Sequence, residues 1–483
     1  MITFSELLTP QQAERIHEAS LEILEDVGML VRNEKARAIF ERHGCQVDHE
    51  THLVKFPRNV IEEFRKMTPP KFIFRGRDEK YDKVLPDDSP VIVTGSSAPN
   101  LIDPVTQKER RSTSTDIACI AYLINELPGY DVFSISTLAE DAPDGYFTLA
   151  RLYPALKNCL KPVRSTSTDV EDAEKVLKLG AVIAGSEKAY MARPFITHHF
   201  CPVVSPLTFD VASTELTIYF AEKGLPVYPS IVPNGGLTSP MTMSATLAQG
   251  NAEFLAAASL MQMVKPGTPL IYSTLPTIAD MRTGAYASGG VECGMLHMAF
   301  AQMARFYNVP CGGYIGLTNS KINDAQSGYE TGVSATAALL GGANMLNMGG
   351  LLDALKAFDF GKAVIDDEIA LMLKRIKRGM EFSEENLALN VIRDVKPGGG
   401  FMTHKHTVKN MRTVALMTRI SDRDPREVWE KRGAQDAFRR AMQRAREILS
   451  KPNVAVFPEE IEQRIRAAFP DMVKGDAVLP EGW

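Results

Sequence analysis

The chain has 483 residues, with 54 Lys or Arg against 59 Asp or Glu, for a net charge of −5. Hydrophobic residues at 45% and charged residues at 23% supply ample apolar area for a packed core, which excludes a mainly disordered chain. The mildly acidic balance excludes a protein built around a global field for DNA or RNA.

Residues 1–89 read as an N-terminal helical extension. Thr9 is placed to cap a helix, Pro10 suits its first turn, and Gln12 completes a Thr-x-x-Gln capping box. Ile16, Ala19, Leu21, Ile23, Leu24 and Val27 then form an apolar stripe that ends at Gly28. Further helices follow Asn33 and Pro57, and KFIFRG at 71–76 reads as a strand.

From Pro90 short apolar runs alternate eight times with longer helical patterns. The strands are expected at 91–96, 131–137, 162–166, 194–204, 225–232, 269–275, 309–315 and 344–348. Alternation of this kind implies parallel βαβ units. Eight units over residues 90–350 match an α/β fold of the closed (β/α)8 TIM-barrel type. A doubly wound open sheet is the rival, but GSSAPN after the first strand is not a GxGxxG phosphate turn. The hexapeptide RSTSTD occurs at 111–116 and again at 164–169, each time before a helical pattern. Two similar helix caps are the plain reading, and a shared anion-binding role is the sharper one. Residues 351–483 read as charged amphipathic helices forming a C-terminal helical segment packed on the barrel, with KPGGGF at 396–401 as a flexible turn.

The six cysteines form no CxxC pair and read as reduced, buried thiols. The N-terminus has no apolar signal core, and 252–264, the most apolar stretch, holds Glu253 and Gln262. A cytoplasmic protein that meets neither membrane nor nucleic acid is expected.

A TIM-barrel site forms at the C-terminal strand ends. His198 and His199 are adjacent in strand four, so only one faces inward, and His199 shares the parity of Cys201 nearer the strand end. His199, Cys201 and Cys311 offer soft ligands without a zinc spacing, so no intrinsic metal is expected. Tyr228, Tyr272 and Tyr314 are candidates to surround a cationic group with ring faces. Arg282 is a candidate to hold a carboxylate bidentately. Of the 21 Met, several fall in barrel segments and read as adaptable core filler.

The stretch GLTNSKINDAQSGYE at 316–330, GGANMLNMGG at 341–350, IHEASLEILEDVGMLV and LIDPVTQKERRSTSTD together resemble the trimethylamine methyltransferase superfamily. The resemblance covers nearly the whole chain. It implies a (β/α)8 barrel that moves a methyl group from an amine to the Co(I) corrinoid of a separate partner protein. The founding member uses pyrrolysine, whose equivalent falls within 316–326, and this chain has only standard residues. That implies the non-pyrrolysine branch, which acts on quaternary amines, with glycine betaine favoured and proline betaine or carnitine as alternatives. A quaternary ammonium leaves as a neutral amine, so positioning and desolvation suffice and no general acid is needed.

On that implication Tyr228, Tyr272 and Tyr314 form the ammonium cage. His199, Asn234 and Arg282 meet the carboxylate end, and Gln326 and Glu330 add substrate contacts. Asn347 stands where a Gly-Ala-Asn-x-x-His pattern would place His, near the methyl group or the cobalt face, and is the catalytic candidate. A homo-oligomer is expected by analogy. The readings from other classes are a metal-dependent barrel lyase or hydrolase and a non-catalytic betaine-binding protein.

Overall fold

The computed structural model describes residues 4–483. Eight parallel strands form the barrel wall: β1 (Val91–Val93), β2 (Phe133–Ser134), β3 (Val163–Ser165), β4 (Ile196–Phe200), β5 (Val227–Ile231), β6 (Tyr272–Thr274), β7 (Cys311–Tyr314) and β8 (Met345–Asn347). The order β2-β3-β4-β5-β6-β7-β8-β1 leaves one seam, which a parallel bridge between Val93 and Val132 closes. The expected (β/α)8 architecture is therefore present.

The eight helices are α1 (Ser114–Glu126), α2 (Phe147–Asn158), α3 (Val170–Ala184), α4 (Ala212–Lys223), α5 (Met243–Val264), α6 (Val291–Tyr307), α7 (Ala325–Gly341) and α8 (Phe360–Arg378). The last lies past position 350, within the span that the sequence reading gives to the C-terminal segment. Its carboxylates do not form a solvated face. Asp366 accepts from the Gly350 amide at 2.9 Å, Asp367 from the Gly129 amide at 2.6 Å, and Glu368 from the Ile420 amide at 2.6 Å. The carboxylates fasten loops to the barrel, so burying them leaves no acceptor unpaired.

Both copies of the hexapeptide lead into helices. Thr113 caps α1 in a reciprocal box with Asp116, and Asp169 caps α3. The N-terminal helix Pro10–Glu22 carries the Thr9–Gln12 box as expected. The extension is not wholly helical, however. Met29–Val31 pairs antiparallel with Leu53–Lys55 and parallel with Thr208–Phe209 from the loop after β4, which fastens the extension to the barrel. Strands of three residues are too short to show a period of two, so periodicity did not reveal them. Phe72–Phe74 pairs with Lys83–Leu85, and both Phe72 and Phe74 meet the ring of Tyr228 edge-on inside the barrel.

The C-terminal helices Ala437–Leu449 and Glu459–Ala468 lie against α8 and α3 respectively. No described helix is long and apolar enough to cross a membrane. Within α5, Glu253 is buried and accepts from Ser205 Oγ at 2.6 Å and the Leu207 amide at 2.9 Å.

Candidate active site at the barrel mouth

Register decides which side chains face inward, because neighbours paired across parallel strands share a face. Arg164 pairs with Ser134 and Thr197, His199 with Tyr228, Ser230 with Ser273, and Tyr314 with Asn347. These residues line the interior. Above them lies a chamber of about 390 Å³, lined by residues that include Ser96, Thr166, His199, Cys201, Leu275 and Tyr314. A smaller space of about 30 Å³ lies beside it, bordered by Ser96, Ser97, Arg151, Arg164, Thr166 and His199. Neither space is lined by an Asp or a Glu.

Tyr314 reaches the chamber because β7 runs Cys-Gly-Gly-Tyr. A Cβ at Gly313 would lie 1.8 Å from the Thr274 carbonyl oxygen, and its φ is +151°, so only glycine lets the two backbones approach. The Tyr314 ring then joins Leu275 and Leu317 in a buried apolar cluster with Val232, Tyr286 and Leu355 packed against it. Leu275 and Val232 also line the chamber.

Arg164 is the polar centre of this mouth. Its Nε donates to Ser134 Oγ at 2.8 Å, Nη1 to the Tyr228 hydroxyl at 2.8 Å, and Nη2 to Ser96 Oγ at 3.1 Å and the Tyr314 hydroxyl at 2.8 Å. Burial opposes its charge, but the Tyr228 and Tyr314 oxygens outweigh that and hold its pKa up. Arg151, on α2, is also buried and donates to the Thr137 carbonyl at 3.1 Å and Ser97 Oγ at 3.0 Å. Burial brings its pKa down to about 10.

His199 tilts against Tyr228 with centroids 5.0 Å apart and against Tyr314 at 6.1 Å. Its Nε2 is buried without a partner. Burial, and then the nearby Arg164 charge, push its pKa well down, so the ring is neutral near pH 7. Burial pushes the Cys201 thiol up to about 11. Asn347 is fully buried, and neither its Nδ2 nor its Oδ1 has a partner. All six cysteines are free, and among the described residues no three His, Cys, Asp or Glu side chains cluster as metal ligands.

The structure brings together Tyr228, Tyr314, His199 and Asn347 on the inner face. Asn234 lies beyond β5, where Asn234–Gly235 pairs with Thr277–Ile278; it is buried and its Oδ1 is unpartnered. Four of the expected residues do not line the chamber. Tyr272 pairs with Cys311 and so has the parity opposite to inward-facing Ser273; it faces the helices, stacks on Phe254 at 3.6 Å and donates to Asn251 Oδ1 at 2.7 Å. Arg282 is 88% exposed and forks onto its own loop's Asp280, at 2.6 and 2.9 Å. Gln326 donates to Glu330 Oε1 at 3.0 Å. Glu330 accepts from Thr318 Oγ1 at 2.6 Å and the Asn319 amide at 2.8 Å, so this pair braces the loop after β7 instead of lining the chamber.

Arg164, Arg151 and Tyr286 were not singled out in the sequence. For Arg164 a signal existed, because it opens the second RSTSTD copy, whose Thr166, Ser167 and Thr168 also line the chamber. Tyr286 belongs to a loop without periodicity, and its buried hydroxyl has no partner.

Comparison with known proteins adds the following. A family model described as trimethylamine methyltransferase (MTTB) matches residues 1–473. The glycine betaine methyltransferase of Desulfitobacterium hafniense is 33% identical over 464 residues, covering 95% of this chain and 96% of that one. A trimethylamine methyltransferase from the same species is 31% identical over 452 residues, covering 94% and 91%. Among solved structures, the monomethylamine methyltransferase of Methanosarcina barkeri shares the fold with a TM-score of 0.52 at 14% identity, covering 91% of each chain.

Proposed function

Because the chain belongs to the trimethylamine methyltransferase family, we propose that it transfers a methyl group from a quaternary amine to the corrinoid of a partner protein. Glycine betaine is the favoured substrate and dimethylglycine the matching product. On this reading the reaction runs in the cytoplasm, with a separate corrinoid protein docking at the barrel mouth.

One observation carries this reading: no group that lines the chamber is poised to exchange a proton near neutral pH. The histidine is held neutral, the thiol is held protonated, and no carboxylate lines the space. Acid–base chemistry wants a group whose pKa sits near the working pH. Methyl transfer from a quaternary ammonium wants none. The C–N bond breaks, its electrons stay on nitrogen, and the product is a neutral amine. The bound corrinoid supplies the nucleophile that accepts the methyl group.

The chain's own residues then bind, orient and exclude water. The apolar wall of Leu275, Leu355 and Val232, with the Tyr314 and His199 rings, suits a poorly hydrated trimethylammonium head. Residues 316–326 are all standard, which supports a quaternary substrate that needs no special activation. The test mixes the protein with a Co(I) corrinoid protein and a panel of quaternary amines and follows methyl–Co(III) formation by absorbance. Turnover with glycine betaine is expected. No turnover with any quaternary amine, alongside an active corrinoid partner, rejects the reading.

A further inference from the structure

We infer that Arg164, with Arg151 beside it, forms an anion site for the carboxylate of a zwitterionic quaternary amine, so that betaines are accepted and quaternary cations lacking an acid group are rejected. The inference rests on the chamber being the substrate site.

Two guanidiniums border the small space beside the chamber, 2% and 4% exposed, and their six hydrogen bonds all go to hydroxyls or a carbonyl. Neither reaches a carboxylate. A buried cation without a counter-ion is costly, and proteins normally pair it. Buried Lys362 meets buried Asp366 at 2.5 Å, whereas buried Lys161 donates only to the Ile124, Leu127 and Tyr130 carbonyls. At the mouth two such unpaired cations border one small space, where a ligand would sit.

The hydrogen-bond chemistry gives the sign of the ligand. A guanidinium has five N–H donors and no acceptor. Arg164 uses four, so one Nη1 proton is free. Every hydroxyl it touches is made to accept, which leaves that hydroxyl's own proton to donate elsewhere. Tyr228, fully buried, accepts from Arg164 and makes no other hydrogen bond among the described residues, and Ser96 and Tyr314 share one proton across 2.6 Å, so one of that pair also has a proton to give. The network therefore presents donors, and a carboxylate is an acceptor with two oxygens.

Space agrees with sign. The 30 Å³ pocket at the guanidinium edges is of the order of one water molecule, suited to a carboxylate end. It shares Ser96, Ser97, Thr166 and His199 with the 390 Å³ chamber, where the bulkier ammonium head fits against apolar side chains. A simple cation such as choline would meet the same two positive charges with nothing to offset them.

The test has a binding arm and a turnover arm. In the first, calorimetry compares two uncharged-head isosteres on the wild-type chain, 3,3-dimethylbutanoate and 3,3-dimethylbutan-1-ol. The carboxylate is expected to bind at least about 100-fold more tightly, the scale on which unpaired buried polar groups discriminate. Equal binding overturns the anion site. In the second, kcat/KM for glycine betaine is compared with that for choline in wild type, Arg164→Lys, Arg164→Gln and Arg151→Gln. Loss of the fork is expected to raise KM for glycine betaine with a smaller change in kcat, and to narrow the preference over choline. A variant that slows both amines equally assigns Arg164 a bracing role and overturns the proposal. Should the Arg164 variants not fold, Arg151→Gln and the wild-type isostere pair still decide. Carboxylate binding without methyl transfer from any amine rejects the proposed function while leaving the anion site standing.

Discussion

Arg164 Nη2 donates to the Tyr314 hydroxyl at 2.8 Å, joining β3 to β7 across the barrel mouth. The same hydroxyl lies 2.6 Å from Ser96 Oγ, in the loop after β1. Three widely spaced segments thus meet at one oxygen, while the Tyr314 ring lies against Leu275 and Leu317. The hydroxyl and the ring do different work, and substitution can separate them.

Tyr314→Phe keeps the ring and removes the oxygen. Stability should fall by about 1.5–3 kcal/mol, the usual worth of a hydrogen bond to a charged group. KM for glycine betaine should rise about tenfold, one hydrogen bond's worth, because Arg164 loses an anchor. Tyr314→Ala is a poorer probe, since emptying an aromatic site in a core costs roughly 3–5 kcal/mol. Thermal melts and steady-state kinetics on both variants check this. An unchanged KM in Tyr314→Phe removes its hydroxyl from the binding network.

The eight strands were legible because each apolar run is bounded by helical pattern, and their order follows from βα alternation alone. The inward parity of His199 was legible too, from its spacing to Cys201. The facing of Tyr272 was not legible, because an aromatic residue suits either face of a barrel strand; only register with β7 shows that it points to Phe254. Arg282 looked like a ligand because a loop arginine near a strand end gives no sign in sequence of its partner two residues away. Arg164 stayed hidden for the opposite reason. Its neighbours Ser, Thr and Asp explain themselves as a cap, and the loss of counter-ion is a three-dimensional fact.

Tyr272→Phe supplies the matching control. It removes the hydrogen bond to Asn251 on α5 and leaves the stack on Phe254. About 1 kcal/mol of stability should be lost with no change in KM or in amine preference. A KM shift as large as that of Tyr314→Phe would return Tyr272 to the substrate cage.

Asn347 lies in register with Tyr314 and carries two buried, unpartnered polar atoms. An unsatisfied buried amide costs about 1–3 kcal/mol, so a residue kept for folding alone would be apolar. Asn347→Leu keeps the number and branching of side-chain heavy atoms while removing the polar ones. It should hold or raise the melting temperature while lowering kcat for methyl transfer at least about tenfold, the loss of one transition-state contact. Full activity in this variant would remove Asn347 from the reaction.

His198 shows how the opposite parity is used. It faces outward and stacks on Phe220 with centroids 3.6 Å apart, and neither ring nitrogen has a partner. Burial brings its pKa down to about 3. The folded state therefore keeps the ring neutral while the unfolded chain takes a proton below about pH 6.5. Proton uptake by the unfolded state means that this group's contribution is intact above that pH and is lost as pH falls toward 3. At pH 5 the loss is about 2 kcal/mol, 1.5 pH units at 1.36 kcal/mol each. In His198→Phe the ring stack remains and the titration does not. The variant's stability relative to wild type should therefore rise by about 2 kcal/mol between pH 7.5 and pH 5. His297, also lowered by burial, and the buried Asp359, raised to about 6, are present in both chains and cancel in the difference. Denaturant melts at the two pH values measure that difference, and parallel pH dependence in the two chains would show that His198 does not titrate on unfolding as its burial requires.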